Sequence, residues 1–391
     1  MATKTAPAKK PAAKKAAPRK TAATARKAAS PAAEAPAAPP VKKPRRSALP
    51  LPLPALPAMP PVPSPVEVVK TVVQVIEDSP VGKAGAVTSA VLRSRRAAQL
   101  SRRVRNKIVV VTGATSGIGQ DCALKLAAAG ATVILAARTP SKLDETVERI
   151  RADGGKAFAY ACDIADMAAC DRFIQQVLDD HRHVDILINN AGRSIRRSVK
   201  ASFDRFHDFE RTMQLNYFGA LKLIFGFAPK MLERKSGHII NISSIGVLAN
   251  SPRFSAYVAS KAALDAFSRC AQGELSGKGI SFTTVNMPLV KTPMIAPTKM
   301  YDSVPTLSPE EAADLLVKAI IEKPSRIATR LGIFAALVNA VAPKAYEVVM
   351  NTAFELFPDS AAAKGDRKAL KDESPSQEQI AFAALMRGVH W

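Results

Sequence analysis

The chain has 391 residues, enough for one large domain or two ordinary ones, and its 56 Lys and Arg against 33 Asp and Glu give a net charge of +23. That surplus is local, because Met1 to Lys107 holds 22 basic and 4 acidic residues while the other 284 residues hold 34 and 29. The four cysteines (Cys122, Cys162, Cys170, Cys270) lack zinc-site or disulfide spacing, no apolar run reaches the ~20 residues of a membrane-spanning helix, and no apolar signal core opens the chain; reduced thiols, no metal and a cytoplasmic location are expected.

Residues 1–66 are low-complexity sequence of Ala, Pro and Lys, with prolines recurring from Pro7 to Pro65. Such a segment buries too little apolar surface to offset its ordering entropy, so a disordered basic extension is expected, partly extended as polyproline II. Its charge suits an anionic membrane, a lipid body or nucleic acid. Residues 67–106 read as a linker. Val66 to Ile76 suggests a short apolar helix, and Val91 to Arg105 sets Arg93, Arg95, Arg96, Arg102, Arg103 and Arg105 around Val91, Leu92, Leu100 and Val104. The second stretch reads either as a solvated linker helix or as a helix resting on an anionic membrane or lipid-body surface.

From Lys107 the pattern alternates. Strands are predicted at Lys107–Thr112, Thr132–Ala137, Ala157–Cys162, Val184–Asn189, His238–Ser243, Ile280–Asn286 and, more weakly, Arg326–Thr329, with helical stretches between them. Apolar strands joined by long crossovers imply an α/β fold, a doubly wound parallel sheet of about seven strands with helices on both faces. It occupies residues 107–330, and 331–391 form a C-terminal helical extension.

The first strand runs into Val111-Thr112-Gly113-Ala114-Thr115-Ser116-Gly117-Ile118-Gly119, followed by the Ala-rich helix Ile118–Ala129. Gly113 permits a tight turn, Gly117 lets backbone approach a pyrophosphate, and Gly119 lets helix lie close on strand; Ser116 and Ile118 complete the contacts expected for a dinucleotide. Nineteen residues past Gly119, at the end of the second strand, stands Arg138. A carboxylate there would bind the ribose 2′-hydroxyl of NADH, whereas a guanidinium suits a 2′-phosphate, so NADPH is the expected cofactor. The alternative is an ordinary surface arginine after a strand.

Five motifs follow in order: Thr112–Gly119, Asp163-Ile164, Asn189-Asn190-Ala191-Gly192, Ser244 with Tyr257-Val258-Ala259-Ser260-Lys261, and Pro288–Thr292. Across residues 107–330 the chain thereby resembles the short-chain dehydrogenase/reductase superfamily, which implies a Rossmann-type fold. Hydride reaching a carbonyl carbon leaves negative charge on oxygen, which must be stabilised and protonated. A free phenol with pKa near ~10 needs help at neutral pH, and Lys261, one helical turn after Tyr257, is placed to lower that pKa by its charge. Ser244, thirteen residues before Tyr257, is preferred to Ser243 as the second hydrogen-bond donor. The resemblance implies that Asn216 anchors a water relay to Lys261, which also holds the nicotinamide ribose. It further implies that Asp163 binds the adenine edge, that Asn190 lies against the cofactor and that Thr292 contacts the nicotinamide amide. Structural alternatives are a strand-end turn, a sheet-stabilising Asn and a loop Thr. One departure stands out: Pro288-Leu289 occupies the place of the family's Pro-Gly.

The stretches Asn190–Arg197, Phe203–Gly219, Ile242–Ala249 and Met287–Lys299 closely resemble the bacterial fatty acyl-CoA reductases of the wax-ester pathway. That resemblance implies NADPH-dependent reduction of long-chain acyl-CoA to the fatty aldehyde, by hydride addition to the thioester and without an acyl-enzyme. Arg193, Arg196 and Arg197 then read as holders of the CoA phosphates, with Ser244 also touching substrate; the alternative is a solvated charge run. Leu331–Ala342 and Val348–Phe357 offer apolar surface to the acyl chain, or to core or subunit contacts. Helices around Phe203–Arg234 and Phe254–Ser276 carry the family's subunit-pairing elements, so a homo-oligomer is expected. Two rival readings remain: an NADP(H)-dependent ketone or secondary-alcohol oxidoreductase of 3-oxoacyl or steroid type, and a polyanion- or nucleic-acid-binding protein on an inactive reductase fold.

Overall fold

Seven strands form where β-branched and aliphatic residues cluster: β1 (Ile108–Thr112), β2 (Thr132–Ala137), β3 (Lys156–Ala161), β4 (Ile186–Asn189), β5 (Gly237–Ser244), β6 (Ile280–Met287) and β7 (Arg326–Ala328). The structure, a computed structural model, describes residues 88–296 and 306–356. The expected basic extension, the helix at Val66–Ile76 and the chain beyond Leu356 lie outside the described residues. The strands pair in the order β3-β2-β1-β4-β5-β6-β7, every pair parallel. Chain direction across the sheet reverses between β1 and β4, which opens a crevice at the carboxyl ends of the strands.

Side-chain alternation along each strand feeds two apolar layers. Val109, Val111, Val133 and Leu135 face α2 (Gly117–Ala128), α3 (Pro140–Ala152) and α9 (Pro309–Glu322). Val110, Ile134 and Leu187 face α4 (Met167–His181), α6 (Ala220–Glu233) and α8 (Ser255–Leu275). A π-helical turn, Gln214–Gly219, joins α5 (Phe206–Met213) to α6. Short α7 (Ile245–Ala249) follows β5 directly, and Ser244 accepts the Gly246 N–H as its cap. Past β7, the helices α10 (Arg330–Val341) and α11 (Pro343–Leu356) stand on α7, with the Tyr346 hydroxyl donating to Ala249 O at 2.6 Å.

The first helix, α1 (Thr88–Val104), alters one expectation. Leu100 and Val104 are buried in the layer that holds α2 and α9, while Arg95, Arg96, Arg102 and Arg103 are exposed. Two of the four apolar residues set among these arginines are therefore spent on the core, and the end of α1 belongs to the packed unit instead of a linker. Most strand ends match the sequence within a residue or two, although β3 stops at Ala161 and leaves Cys162 past its end.

Candidate active site

Each strand of the crevice ends in a candidate residue. Asp163 follows β3, Arg138 follows β2, Gly113 follows β1, Asn190 follows β4, Ser244 ends β5, and Pro288 opens the loop after β6. Parallel neighbours lie ~4.8 Å apart, so this row is on the order of 24 Å long. One cleft of ≈ 690 Å³ runs along it, lined by Gly113, Ser116, Gly117, Ile118, Arg138, Asp163, Asn190, Arg196, Arg197, Ser244, Tyr257, Lys261 and Thr292. Gly119 lies behind this wall, and Asn216 is buried beside it.

At the glycine turn, Gly113 and Gly117 take φ of +65° and +56°, where a Cβ is strained. A Cβ on Gly119 would meet Gly113 O at 2.4 Å, so α2 starts hard against the turn. Ser116 occupies the N-cap of α2 but makes no side-chain cap bond, leaving it and the first-turn N–H groups to face the cleft. Asn190 locks the opposite wall: Nδ2 donates to Thr112 O at 2.9 Å and to Gly113 O at 3.3 Å, and its own N–H donates to Thr112 Oγ1 at 3.0 Å. Thr292 crosses over the turn, with Cγ2 3.0 Å from where a Gly117 Cβ would sit. The Pro288-Leu289 departure therefore leaves Thr292 at the cleft. Arg138 is exposed on the rim and has no ion-pair partner among the described residues. Asp163 Oδ1 accepts from Ala165 N at 3.0 Å, so it builds a strand-end turn and lines the cleft as well. The glycine cradle, the uncapped helix end and the unpaired guanidinium fit a dinucleotide carrying a 2′-phosphate.

Tyr257 and Lys261 share a face of α8. Lys261 is buried, and its Nζ donates to Ile242 O at 2.7 Å. Burial pushes its pKa down to about 8. Burial also raises the Tyr257 phenol above its ordinary value, against a hydrogen bond with Ser244 that lowers it. Burial, and not the Lys261 charge expected to lower the phenol, is the largest influence on it here. Ser244 is half-buried at the cleft, whereas Ser243 is buried behind it and receives Asn286 Nδ2 at 3.4 Å. Asn216 projects from the π-helical turn, a local geometry that recurs at functional sites. Its Oδ1 accepts Arg193 N at 2.8 Å, and its Nδ2 donates to Arg193 O and to Ser260 Oγ, both at 2.9 Å. A Cβ on Gly192 would lie 3.3 Å from both Asn216 Oδ1 and Lys261 Nζ, so the two groups flank one point.

Behind this face runs a polar chain that spacing did not reveal. Asp265, one turn past Lys261 on α8, receives both Arg326 Nη2 contacts, at 2.9 and 3.0 Å. Arg326 Nη1 donates to Asn286 Oδ1 at 2.6 Å, and Asn286 Nδ2 donates to Ser244 O at 3.1 Å. Asp265 had a legible signal, a carboxylate at i+4 from Lys261 on an apolar helix face. Arg326 had none, since β7 meets β6 only through the fold.

The arginine cluster divides. Arg193 and Arg196 line the cleft, as does Arg197, but Arg197 Nε also lies 3.2 Å from Asp208, a buried carboxylate shared with Arg205 and Arg211. The apolar surface of α10 and α11, read as meeting an acyl chain or else core or subunit contacts, is absent from the cleft lining among the described residues, and the hairpin packs on α7. Cys162 does line the cleft, yet it follows β3, four strand spacings and so ~19 Å from the end of β5 where Ser244 stands. No cluster of metal-ligating side chains occurs among the described residues.

The short chain dehydrogenase family model matches residues 107–301. A fatty acyl-CoA reductase of Acinetobacter baylyi is 57% identical over 288 residues, spanning 74% of this chain and 96% of that protein. A fatty acyl-CoA reductase of Mycobacterium tuberculosis is 46% identical over 245 residues, 62% of this chain and 83% of that one. Among solved structures, a putative NAD(P)-dependent gluconate 5-dehydrogenase from Beutenbergia cavernae with bound NADP aligns with a TM-score of 0.53 at 28% identity, over 57% of this chain and 94% of the other.

Proposed function

The chain belongs to the short chain dehydrogenase family, and from that premise we propose that it reduces long-chain fatty acyl-CoA to the fatty aldehyde and free CoA with NADPH. The substrate is carried by one observation, 57% identity to a fatty acyl-CoA reductase across nearly all of that protein. The cleft supports the chemistry. NADPH, when bound, supplies the hydride. The Gly113–Gly119 turn with Ser116 and Ile118 would hold its pyrophosphate, Arg138 the 2′-phosphate, Asp163 the adenine edge, Asn190 the cleft wall and Thr292 the nicotinamide amide.

Tyr257 gives its proton to the thioester oxygen as the carbonyl carbon is reduced, and Ser244 donates a second hydrogen bond to that oxygen. Lys261 holds the ribose and keeps positive charge near the phenol, while Asn216 anchors the water that links Lys261 to solvent. When the reduced carbon re-forms its carbonyl, the proton returns through Tyr257, the C–S bond breaks and CoA leaves as the thiolate. In sum, one hydride converts thioester to aldehyde and thiolate with Tyr257 restored, and the released thiolate takes one proton from solvent to become the thiol. Nothing in this sequence of steps calls on a protein thiol.

Arg193 and Arg196 suit the CoA phosphates. Arg197 shares that wall, but its ion pair with Asp208 gives it a structural task first. The test supplies NADPH with palmitoyl-CoA, and in parallel with a 3-oxoacyl thioester and a steroid ketone, while thiol and carbonyl products are measured. One thiol released and one aldehyde formed per NADPH consumed is the expected result. Turnover confined to the ketones, without thiol, would assign the enzyme to ketone reduction.

A further inference from the structure

Past Arg197, at the end of the cleft wall, the chain buries Ser198 and Asp208 but leaves its large apolar side chains outward. Val199, Phe203 and Phe206 are 59%, 79% and 71% exposed, three large apolar side chains within eight positions. Single exposed hydrophobics are ordinary on a soluble surface, but a group of them beside an active site marks a contact. Phe206 stacks on Phe209, with ring centroids 6.3 Å apart at 19°, which extends the apolar face inward.

Positive charge is woven through the same strip. Lys200 is exposed, and Arg197, Arg205 and Arg211 converge on the single buried carboxylate of Asp208, at 3.2, 3.2 and 2.5 Å. His207 also touches it at 3.3 Å. Burial opposes the Asp208 charge, yet the Arg205 hydrogen bond and the Arg211, Arg205 and Arg197 charges hold its pKa below the usual range. Residues 193–211 carry six Lys and Arg against Asp204, Asp208 and Glu210. One carboxylate therefore orders a cationic surface without neutralising it.

We propose that Val199–Arg211 docks the enzyme on an anionic lipid bilayer, with Val199, Phe203 and Phe206 entering the headgroup boundary and Lys200, Arg205 and Arg211 meeting acidic headgroups. The proposal rests on the long-chain acyl thioester reading, since it seats the cleft mouth where an acyl chain is soluble. Charge argues for lipid over a second copy: a two-fold contact on this strip would set Lys200 and Arg211 against themselves. Subunits have a less cationic surface in the exposed Phe218 and Phe225, beside which Lys222 is paired with Asp171. In α1, Leu100 and Val104 beside the exposed arginines are buried in the core.

The experiment measures co-sedimentation of full-length protein with phosphatidylcholine vesicles with and without phosphatidylglycerol, for the parent, Phe203→Ser/Phe206→Ser, and Lys200→Glu. Both phenylalanines project into solvent, so their replacement leaves the core intact. The parent is expected to bind the anionic vesicles in a salt-sensitive way. The Phe pair variant loses on the order of tenfold or more in partitioning, and Lys200→Glu loses a smaller factor that vanishes in high salt. Turnover of soluble hexanoyl-CoA stays at the parental rate in all three, which separates failure of docking from failure of the thioester reading. Parental vesicle binding by the Phe variant would overturn the proposal and leave the basic N-terminal extension as the binding element. A changed oligomeric state with unchanged vesicle binding would overturn it in favour of a second copy.

Discussion

Lys261 is buried and donates a hydrogen bond to the Ile242 carbonyl, so removal from water costs its charge more than that one partner returns. With its pKa pushed down to about 8 from 10.5, the side chain is charged below about pH 8 and neutral above it. If the charge serves Tyr257 and the ribose, kcat/KM for acyl-CoA reduction holds up to about pH 8 and falls as pH rises through it. Stability runs the other way. Between about 8 and 10.5 the unfolded chain keeps a proton that the folded protein has shed, so this group's contribution to stability increases with pH there. Activity that falls above pH 8 while the Tm is held is the signature; a flat rate profile through pH 9.5 contradicts it. Arg138 carries a second residue-scale prediction. Arg138→Glu removes charged hydrogen bonds worth ~1.5–3 kcal/mol, so the KM for NADPH rises on the order of 10- to 100-fold while that for NADH changes little. Equal shifts for both nucleotides would return Arg138 to the surface. Tyr257, Lys261 and Ser244 were legible because a local period or a family spacing fixes them. The partners of Asn216 were not, since Arg193 and Ser260 meet it only through folding.

Helix α8 and strands β5, β6 and β7 are tied behind the site by Asp265, Arg326, Asn286 and Ser244. This chain fixes the β5 end that presents Ser244 relative to the helix that presents Tyr257. Arg326→Met leaves the Asp265 carboxylate buried with Arg269 as its remaining cation at 2.7 Å, at a cost of about 3–5 kcal/mol. Adding Asp265→Leu removes the stranded charge and restores much of the Tm. The kcat is expected to stay low in both proteins, because Asn286 has lost the guanidinium that holds it. Recovery of kcat together with the Tm would make the chain structural alone. Strand positions were legible from apolar runs in a sheet covered on both faces. The packing of α1 was not: an apolar stripe flanked by arginines looks the same whether it meets a bilayer or a core, and folding alone places Leu100 and Val104 in the core. For α10 and α11 the reason is similar. Their apolar composition was plain, but their seat on α7 depends on Tyr346 reaching Ala249, a contact 97 residues apart.

Across the whole molecule, a near-neutral reductase unit follows a strongly basic N-terminal third, and the two differ in what the sequence reveals. In the first, five motifs that follow one another in sequence line one crevice, because strand ends in a doubly wound sheet converge whatever loops join them. Basic charge in the second names a class of partner and no particular one. The strip at Val199–Arg211 was not singled out because Phe203 and Phe206 read as part of a subunit-pairing helix, and only folding shows how exposed they are. Thioester reduction by Tyr257 is tested most directly by counting thiols released from palmitoyl-CoA per NADPH in the parent and in Tyr257→Phe. The parent is expected to release one thiol per NADPH, and the variant to turn over ~10²–10⁴-fold more slowly while still binding NADPH. Thiol release by Tyr257→Phe at the parental rate would contradict the mechanism.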